Sequence, residues 1–236
     1  ESLRESLEEL EHSVQDITGA GIRHVVLLGM GGSSLGPEVL AKTLGTRAGF
    51  PELIVLDSIA ADQVRAVEAQ LSPLHSFFLV SSKSGTTAES NALYRHFRAF
   101  VERALPLDQA GSRFAAITDP GTPLHPLAKR EGFAKIFHGW PSIGGRFSVL
   151  SNFGMVPAAL FGVDVGDFLE RALVMSHSCA PCVPPELNPG VRLGAILACA
   201  ARAGRDVNAR LLAARAKAPA PDATAPTCAR HASSKK

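Results

Sequence analysis

Five short apolar runs, separated by segments with helical character, constrain this chain more than any other feature. They are HVVLLGM (24–30), ELIVLDS (52–58), SFFLVSSK (76–83), RFAAITD (113–119) and AKIFHG (134–139). Each has the length and the β-branched or aromatic content of a strand. Their cores are continuously apolar and do not alternate with polar residues, which marks strands buried on both faces. Between them, GPEVLAKTL (36–44), AADQVRAVEAQL (60–71), TTAESNALYRHFRAFVERAL (86–105) and PLHPLAKREG (123–132) read as helices. Pro37 falls early in its helix, where a missing N–H costs nothing. The alternation predicts an α/β fold: a doubly wound, five-stranded parallel sheet flanked by helices.

The flanks follow from the same patterns. Leu3, Leu7, Leu10, Val14 and Ile17 form one helical stripe over residues 1–19, which Gly19 and Gly21 end. After residue 145 come three more helices: 146–161, which reads as packing against the sheet with Pro157 a kink point, 165–178 and 189–204. From Arg205 the chain turns rich in Ala and Pro, lacks aromatics and ends basic. Such a composition buries too little apolar surface to order itself. Disorder is expected from about residue 212, with VNARLLAARAK (207–217) as a helical extension. The expected organisation is a helix at 1–19, one domain at 20–204 and an irregular tail at 205–236. The first residue is Glu1, and the chain reads as part of a longer polypeptide.

With 46% hydrophobic and 19% charged residues the chain can build a core. Its net charge of +2 marks no nucleic-acid or acidic-membrane partner. No apolar run approaches the ~18 residues a membrane span needs. Cys179 and Cys182 have C-x-x-C spacing but sit in a Pro-rich loop, SHSCAPCVPPELNP, with only His177 close by. That context predicts free thiols, as do Cys199 and Cys228, and a reducing, cytoplasmic location.

Three loops at strand ends carry the chemistry, because ligands of a doubly wound sheet sit at the carboxyl ends of its strands. The first, Gly29-Met30-Gly31-Gly32-Ser33-Ser34, joins a strand to a helix. Its glycines let backbone approach an anion, and the helix start supplies N–H groups and a positive dipole end. It is a partial match to the dinucleotide pattern, with Ser34 where the third Gly belongs and Asp57 a tolerable distant acid, and it lacks the G-K-[ST] of a nucleotide phosphate loop. The second, SSKSGTTAES (81–90), offers Ser82, Ser84, Thr86 and Thr87, with Lys83 adding charge. A capping box from Thr86 to Glu89 would use one of those hydroxyls and leave three unexplained. Dense neutral donors suit a phosphate monoester. The third, IGGRFSVLS (143–151), sets Arg146 behind two glycines, where a guanidinium can stabilise an oxyanion; the plain alternative is a helix-start turn with a solvated Arg. His24, His75, His96 and His125 have no local partners and read as surface or packing residues. Asp119 reads as a turn-former and Trp140 as packing.

In order and separation these segments resemble the phosphoglucose isomerase family. The motifs are Gly29-Met30-Gly31-Gly32-Ser33, Ser82-Lys83-Ser84-Gly85-Thr86-Thr87-Ala88-Glu89 and Gly144-Gly145-Arg146-Phe147-Ser148, and the resemblance covers residues 20–204. Gly85 and Ala88 are similar to the bacterial branch in which the isomerase can follow a transaldolase. The resemblance implies a three-layer sugar-isomerase (SIS) domain that takes part in glycolysis and gluconeogenesis. It implies that the Ser/Thr loop (Ser82, Lys83, Ser84, Thr86, Thr87) grips the 6-phosphate of glucose or fructose 6-phosphate, with Gly32 and Ser33 beside it. Arg146 then stabilises an enediolate intermediate. No metal, nucleotide or other cofactor is implied, and the full-length family member is expected to be a homodimer. The family's Glu base and its ring-opening His and Lys lie in a second half, beyond the position of residue 204 here. The segment after Gly204 is unlike that half and reads as out-of-frame or artificial, the alternative being a natural disordered extension. The expectation is therefore a phosphosugar-binding domain with little isomerase activity of its own. The rival readings are a non-catalytic phosphosugar-binding regulator and a dinucleotide-binding oxidoreductase. The apolar helices at 146–161 and 189–204 are expected to be exposed and to promote self-association.

Overall fold

The computed structural model describes residues 3–205, so the expectations for the tail at 207–217 and from about residue 212 lie outside the described residues. The chain divides into two units, one ending at Phe168 and one starting at Leu169.

The first unit opens with helix α1 (Leu3–Gly19) and then alternates strand and helix: β1 (His24–Gly29), α2 (Leu35–Leu44), β2 (Glu52–Leu56), α3 (Ala61–Glu68), β3 (Ser76–Ser81), α4 (Ala88–Val101), the short α5 (Leu107–Ala110), β4 (Phe114–Thr118), α6 (Leu124–Arg130), β5 (Lys135–His138) and α7 (Asn152–Leu160). All five strands are parallel, in the order β2-β1-β3-β4-β5. The predicted class is therefore found. The order adds what the sequence left open: β1 lies between β2 and β3, so the connections diverge to opposite sides of the β1/β3 pair. That is the switch point where doubly wound sheets bind ligands.

Burial explains why the strand runs are continuously apolar. Val25 to Leu28, Phe77 to Val80 and Phe114 to Ile117 are essentially inaccessible to solvent. Alternate residues serve opposite faces. Val26, Leu28, Phe78, Val80, Phe114 and Ala116 meet α3, α4 and α6 through Val64, Leu93, Phe97 and Ala128. Phe78 stacks between Phe97 and Phe114 at centroid distances of 5.0 and 5.1 Å. The other face is covered by α7, whose residues Phe153 to Leu160 are all buried. This bears out the reading of 146–161 as a helix that packs against the sheet and corrects the expectation that its apolar face is exposed. That segment splits into a 3₁₀ turn (Gly145–Leu150) and α7, and only the turn exposes apolar side chains, Phe147 and Leu150.

On the rim of α3 and α4, Glu68 accepts hydrogen bonds from His96 Nε2 and from Arg103, both at 2.7 Å. Burial pushes the Glu68 carboxyl up, but the bonds from Arg103 and His96 outweigh it and hold the group below its ordinary 4.5. A depressed native pKa stabilises the fold above the unfolded-state pKa and stops doing so as pH falls through the native one. Glu68→Gln is thus expected to lower the urea midpoint at neutral pH. Its deficit against wild type should shrink as the pH falls from the ordinary carboxylate range down through the depressed native pKa, below which the carboxylate is protonated in both states.

The second unit begins inside α8 (Val165–Ser178) and continues to α9 (Pro189–Arg202), whose start is capped by Asn188 accepting from Val191 N at 3.1 Å. α9 buries none of its residues, and Leu193 and Ile196 are exposed, as expected for 189–204. Cys179 and Cys199 are free and exposed. Cys182 is disulfide-bonded, which corrects the free-thiol expectation there; C-x-x-C spacing says nothing of a partner other than Cys179. Among the described residues no helix is long and apolar enough to cross a membrane.

Candidate functional site

A cleft of ≈ 600 Å³ opens at the carboxyl ends of the strands. Its size lies within the range of small-molecule sites, about 300–1,000 Å³. It is lined by Met30, Gly32 and Ser33 after β1, by Lys83, Ser84 and Thr87 after β3, by Asp119, Pro120 and Thr122 after β4, and by Pro141 and Gly145 after β5. All three sequence-identified loops thus contribute to one cavity at the β1/β3 switch point.

The loops are held together by backbone contact. A methyl group on Gly32 would lie 2.4 Å from the carbonyl oxygen of Gly145, so the first and third loops touch main chain to main chain. Ser148 reinforces the contact, donating to Gly145 O at 2.7 Å and approaching Gly32 O at 3.4 Å. The Ser81 hydroxyl, buried at the end of β3, donates to Ser33 O at 3.2 Å and joins the first and second loops.

The second loop is organised from within. Ser82 is buried; its hydroxyl pairs with that of Thr87 at 2.9 Å and accepts from Gly85 N at 3.1 Å. Ser84 accepts from the Thr86 hydroxyl at 2.9 Å and from Thr86 N at 3.3 Å. α4 therefore has Thr87 at its N-cap position but no side-chain cap, and the capping box between Thr86 and Glu89 does not form. The reason is competition: each threonine hydroxyl has a serine partner, and the first N–H groups of the helix are left for other acceptors. Together with the helix dipole this is a place for an anion.

Of the expected binding residues, Gly32, Ser33, Lys83, Ser84 and Thr87 line the cleft. Ser82 lies beneath it, and Thr86 is exposed beside Ser84. Arg146 is exposed on the turn behind Gly145 and is not among the lining residues. Ser34 is fully buried, its hydroxyl donating to Gly31 O at 3.1 Å.

Sequence reasoning misses Asp119. Its local pattern is that of a turn-former, yet its Oδ2 pairs with Lys83 Nζ. Lys83 Nζ also donates to the carbonyl of Trp140 at 3.1 Å, and Asp119 N donates to Lys83 O at 3.3 Å. Asp119 Oδ1 is buried without a hydrogen-bond partner, against Gly139, where a methyl group would lie 2.3 Å away. A buried acceptor left unpaired costs about 1–3 kcal/mol. The available signal was position: Asp119 is the residue after β4, at the ligand edge of the sheet. Trp140, read as packing, has an exposed ring, and its carbonyl is the part that bears on the site. His125 is not isolated but stacks on His138 at 5.0 Å; burial, then the nearby Lys129 and His138, push its imidazole below the ordinary range. No cluster of three or more metal-binding side chains occurs among the described residues.

The comparisons agree with this geometry. The phosphoglucose isomerase family pattern matches residues 1–214. A glucose-6-phosphate isomerase of Desulfitobacterium hafniense is 31% identical over 179 residues, covering 73% of this chain and 33% of the relative. The chain thus spans about a third of the length of that curated relative. Among solved structures, a hypothetical protein from Thermus thermophilus superposes with a TM-score of 0.73 at 28% identity, over 82% of this chain and 45% of the other. A glucose-6-phosphate isomerase from Chlamydia trachomatis does so with a TM-score of 0.62 at 27% identity, over 75% of this chain and 32% of the other. The sheet, the three assembled loops and the family match lead to one conclusion: the chain belongs to the phosphoglucose isomerase family.

Proposed function

We propose that the cleft binds a hexose 6-phosphate, and that this chain carries the phosphosugar-binding and oxyanion-stabilising part of a glucose-6-phosphate isomerase, with residues 20–204 as its sugar-isomerase domain. The single observation that carries the reading is the second loop, where serine and threonine hydroxyls crowd the uncapped start of α4. Phosphate oxygens accept from Ser84, Thr87 and the first N–H groups of the helix. Ser82 fixes the Thr87 hydroxyl and the turn at Gly85. Gly32 and Ser33 form the opposite wall. Arg146, free to swing from its exposed turn, stabilises the negative charge of an enediolate when the sugar chain extends toward it.

The isomerisation needs a base to carry a proton between C1 and C2. Among the residues lining the cleft, Asp119 is the one carboxylate, and it is engaged by Lys83 with its other oxygen turned toward Gly139. The chain on its own is therefore a binding domain with little turnover. The same reading includes homodimeric assembly, for which the exposed Leu193 and Ile196 of α9 offer apolar surface. It also implies a cytoplasmic location, since a doubly charged sugar phosphate does not cross a bilayer unaided.

Calorimetric titration of glucose 6-phosphate into wild type and Thr87→Val tests the binding assignment. A hydrogen bond to a charged group contributes about 1.5–3 kcal/mol, so the variant is expected to bind about 10- to 100-fold more weakly. Equal affinities would remove the second loop from the phosphate site.

A further inference from the structure

We propose that Lys83 and Asp119 act as one charge-neutral unit that sets the charge preference of the cleft, so that a phosphate monoester is held by hydroxyl and amide donors and not by the ammonium group. The inference rests on the phosphosugar reading above and deepens it.

Lys83 and Asp119 both line the cleft, and they pair side by side at the ends of the adjacent strands β3 and β4. Their pairing is braced twice. The main chains are joined by Asp119 N donating to Lys83 O, and the ammonium has a second acceptor in the Trp140 carbonyl. Two of the three ammonium N–H groups are therefore committed inside the protein. Asp119 has little room to turn, because Oδ1 is packed against Gly139 and beside the Phe153 ring that bounds the same glycine. With side-chain exposures of 27% for Lys83 and 13% for Asp119, solvent screens the pair only in part.

A bare lysine in this position would attract any anion, and more strongly the higher its charge. With a carboxylate bound to it, the fields of the two groups largely cancel at the distance of a ligand. The remaining attraction comes from Ser33, Ser84, Thr87 and the helix start, which favour a correctly placed phosphoryl group over net negative charge. Asp119 also repels an anion that tries to take Lys83 away from it, so discrimination is built partly from repulsion. Bisphosphates and other multiply charged anions are disfavoured relative to a single monoester.

The test is a double-mutant cycle with the full chain: wild type, Lys83→Met, Asp119→Asn and the double variant. Each is titrated with glucose 6-phosphate and with inorganic phosphate at several salt concentrations. Lys83→Met leaves an unpaired carboxylate beside the phosphate and is expected to weaken binding about tenfold or more. Asp119→Asn frees the ammonium and is expected to tighten binding about tenfold, with a steeper salt dependence. The double variant should return to within about threefold of wild type, because a neutral pair has been exchanged for two neutral side chains. If Lys83→Met fails to fold by circular dichroism, Asp119→Asn decides alone: tighter, more salt-sensitive binding supports the unit, and unchanged or weaker binding overturns it. A double variant as weak as Lys83→Met, with Asp119→Asn also weakened, makes Lys83 a direct phosphate ligand and overturns the inference while leaving the functional reading intact. Wild type that binds neither anion overturns both.

Discussion

The purified chain is expected to bind glucose 6-phosphate and to leave it unchanged. Two kinds of group are needed for the interconversion beyond an oxyanion stabiliser: a base for C1 and C2, and a group that opens the ring. Such acid–base groups contribute about 10²–10⁴-fold each, so their joint absence should depress turnover by about 10⁴-fold or more. The only carboxylate lining the cleft among the described residues is tied to Lys83, and no histidine lines it. A coupled assay that follows fructose 6-phosphate formation checks this, run beside a full-length family member under the same conditions. Rates close to those of the full-length enzyme would mean that a base acts in this cleft after all, and would point to Asp119 as that base.

Gly32→Ala is expected to have the next largest effect. Its added methyl would lie 2.4 Å from the carbonyl oxygen and 2.5 Å from the carbonyl carbon of Gly145. Neither atom is the end of a flexible side chain, so the first and third loops must separate. That movement draws Ser33 away from Ser84 and Thr87 and carries Arg146 outward with its turn. Overpacking of this kind destabilises by about 1–3 kcal/mol, which corresponds to a fall in Tm of several degrees, at about 2–4 °C per kcal/mol for a domain of this size. Affinity for the hexose phosphate should fall by more than the stability does in proportion, because the methyl intrudes on the cleft wall itself. A thermal melt and a titration on the same sample separate the two. Unaltered binding would show that the two loops do not form the site together.

How far this could be read from the sequence depended on whether the information was local. The five strands declared themselves because a strand covered on both faces is apolar throughout, as Val25 to Leu28 and Phe114 to Ile117 are. The order β2-β1-β3-β4-β5 did not, since no residue within a strand states its neighbour. The hydroxyl-rich loop was legible because Ser82, Ser84, Thr86 and Thr87 are adjacent in the chain. What those hydroxyls do was only partly legible: the capping box at Thr86 was as good a local pattern, and serine partners within the folded loop displaced it. Asp119 was missed because its partner lies 36 residues away and the pairing exists only once β3 and β4 are side by side. For the same reason 146–161 drew two expectations, cover by the sheet and exposure, and the first holds for α7. Apolarity alone marks a helix that needs a cover, and it does not tell whether the cover is its own sheet, as for Phe153 to Leu160, or nothing within its unit, as for Leu193 and Ile196 of α9.

Everything proposed for this cleft depends on a phosphate group seated on the second loop and held by neutral donors. The most direct measurement is a crystal structure of the chain soaked with glucose 6-phosphate. Phosphate oxygens are expected within hydrogen-bond distance of the Ser84 and Thr87 hydroxyls and of the first amides of α4, with Lys83 still paired to Asp119. Phosphate bound elsewhere, or bound through Lys83 with the Asp119 pair broken, would contradict it.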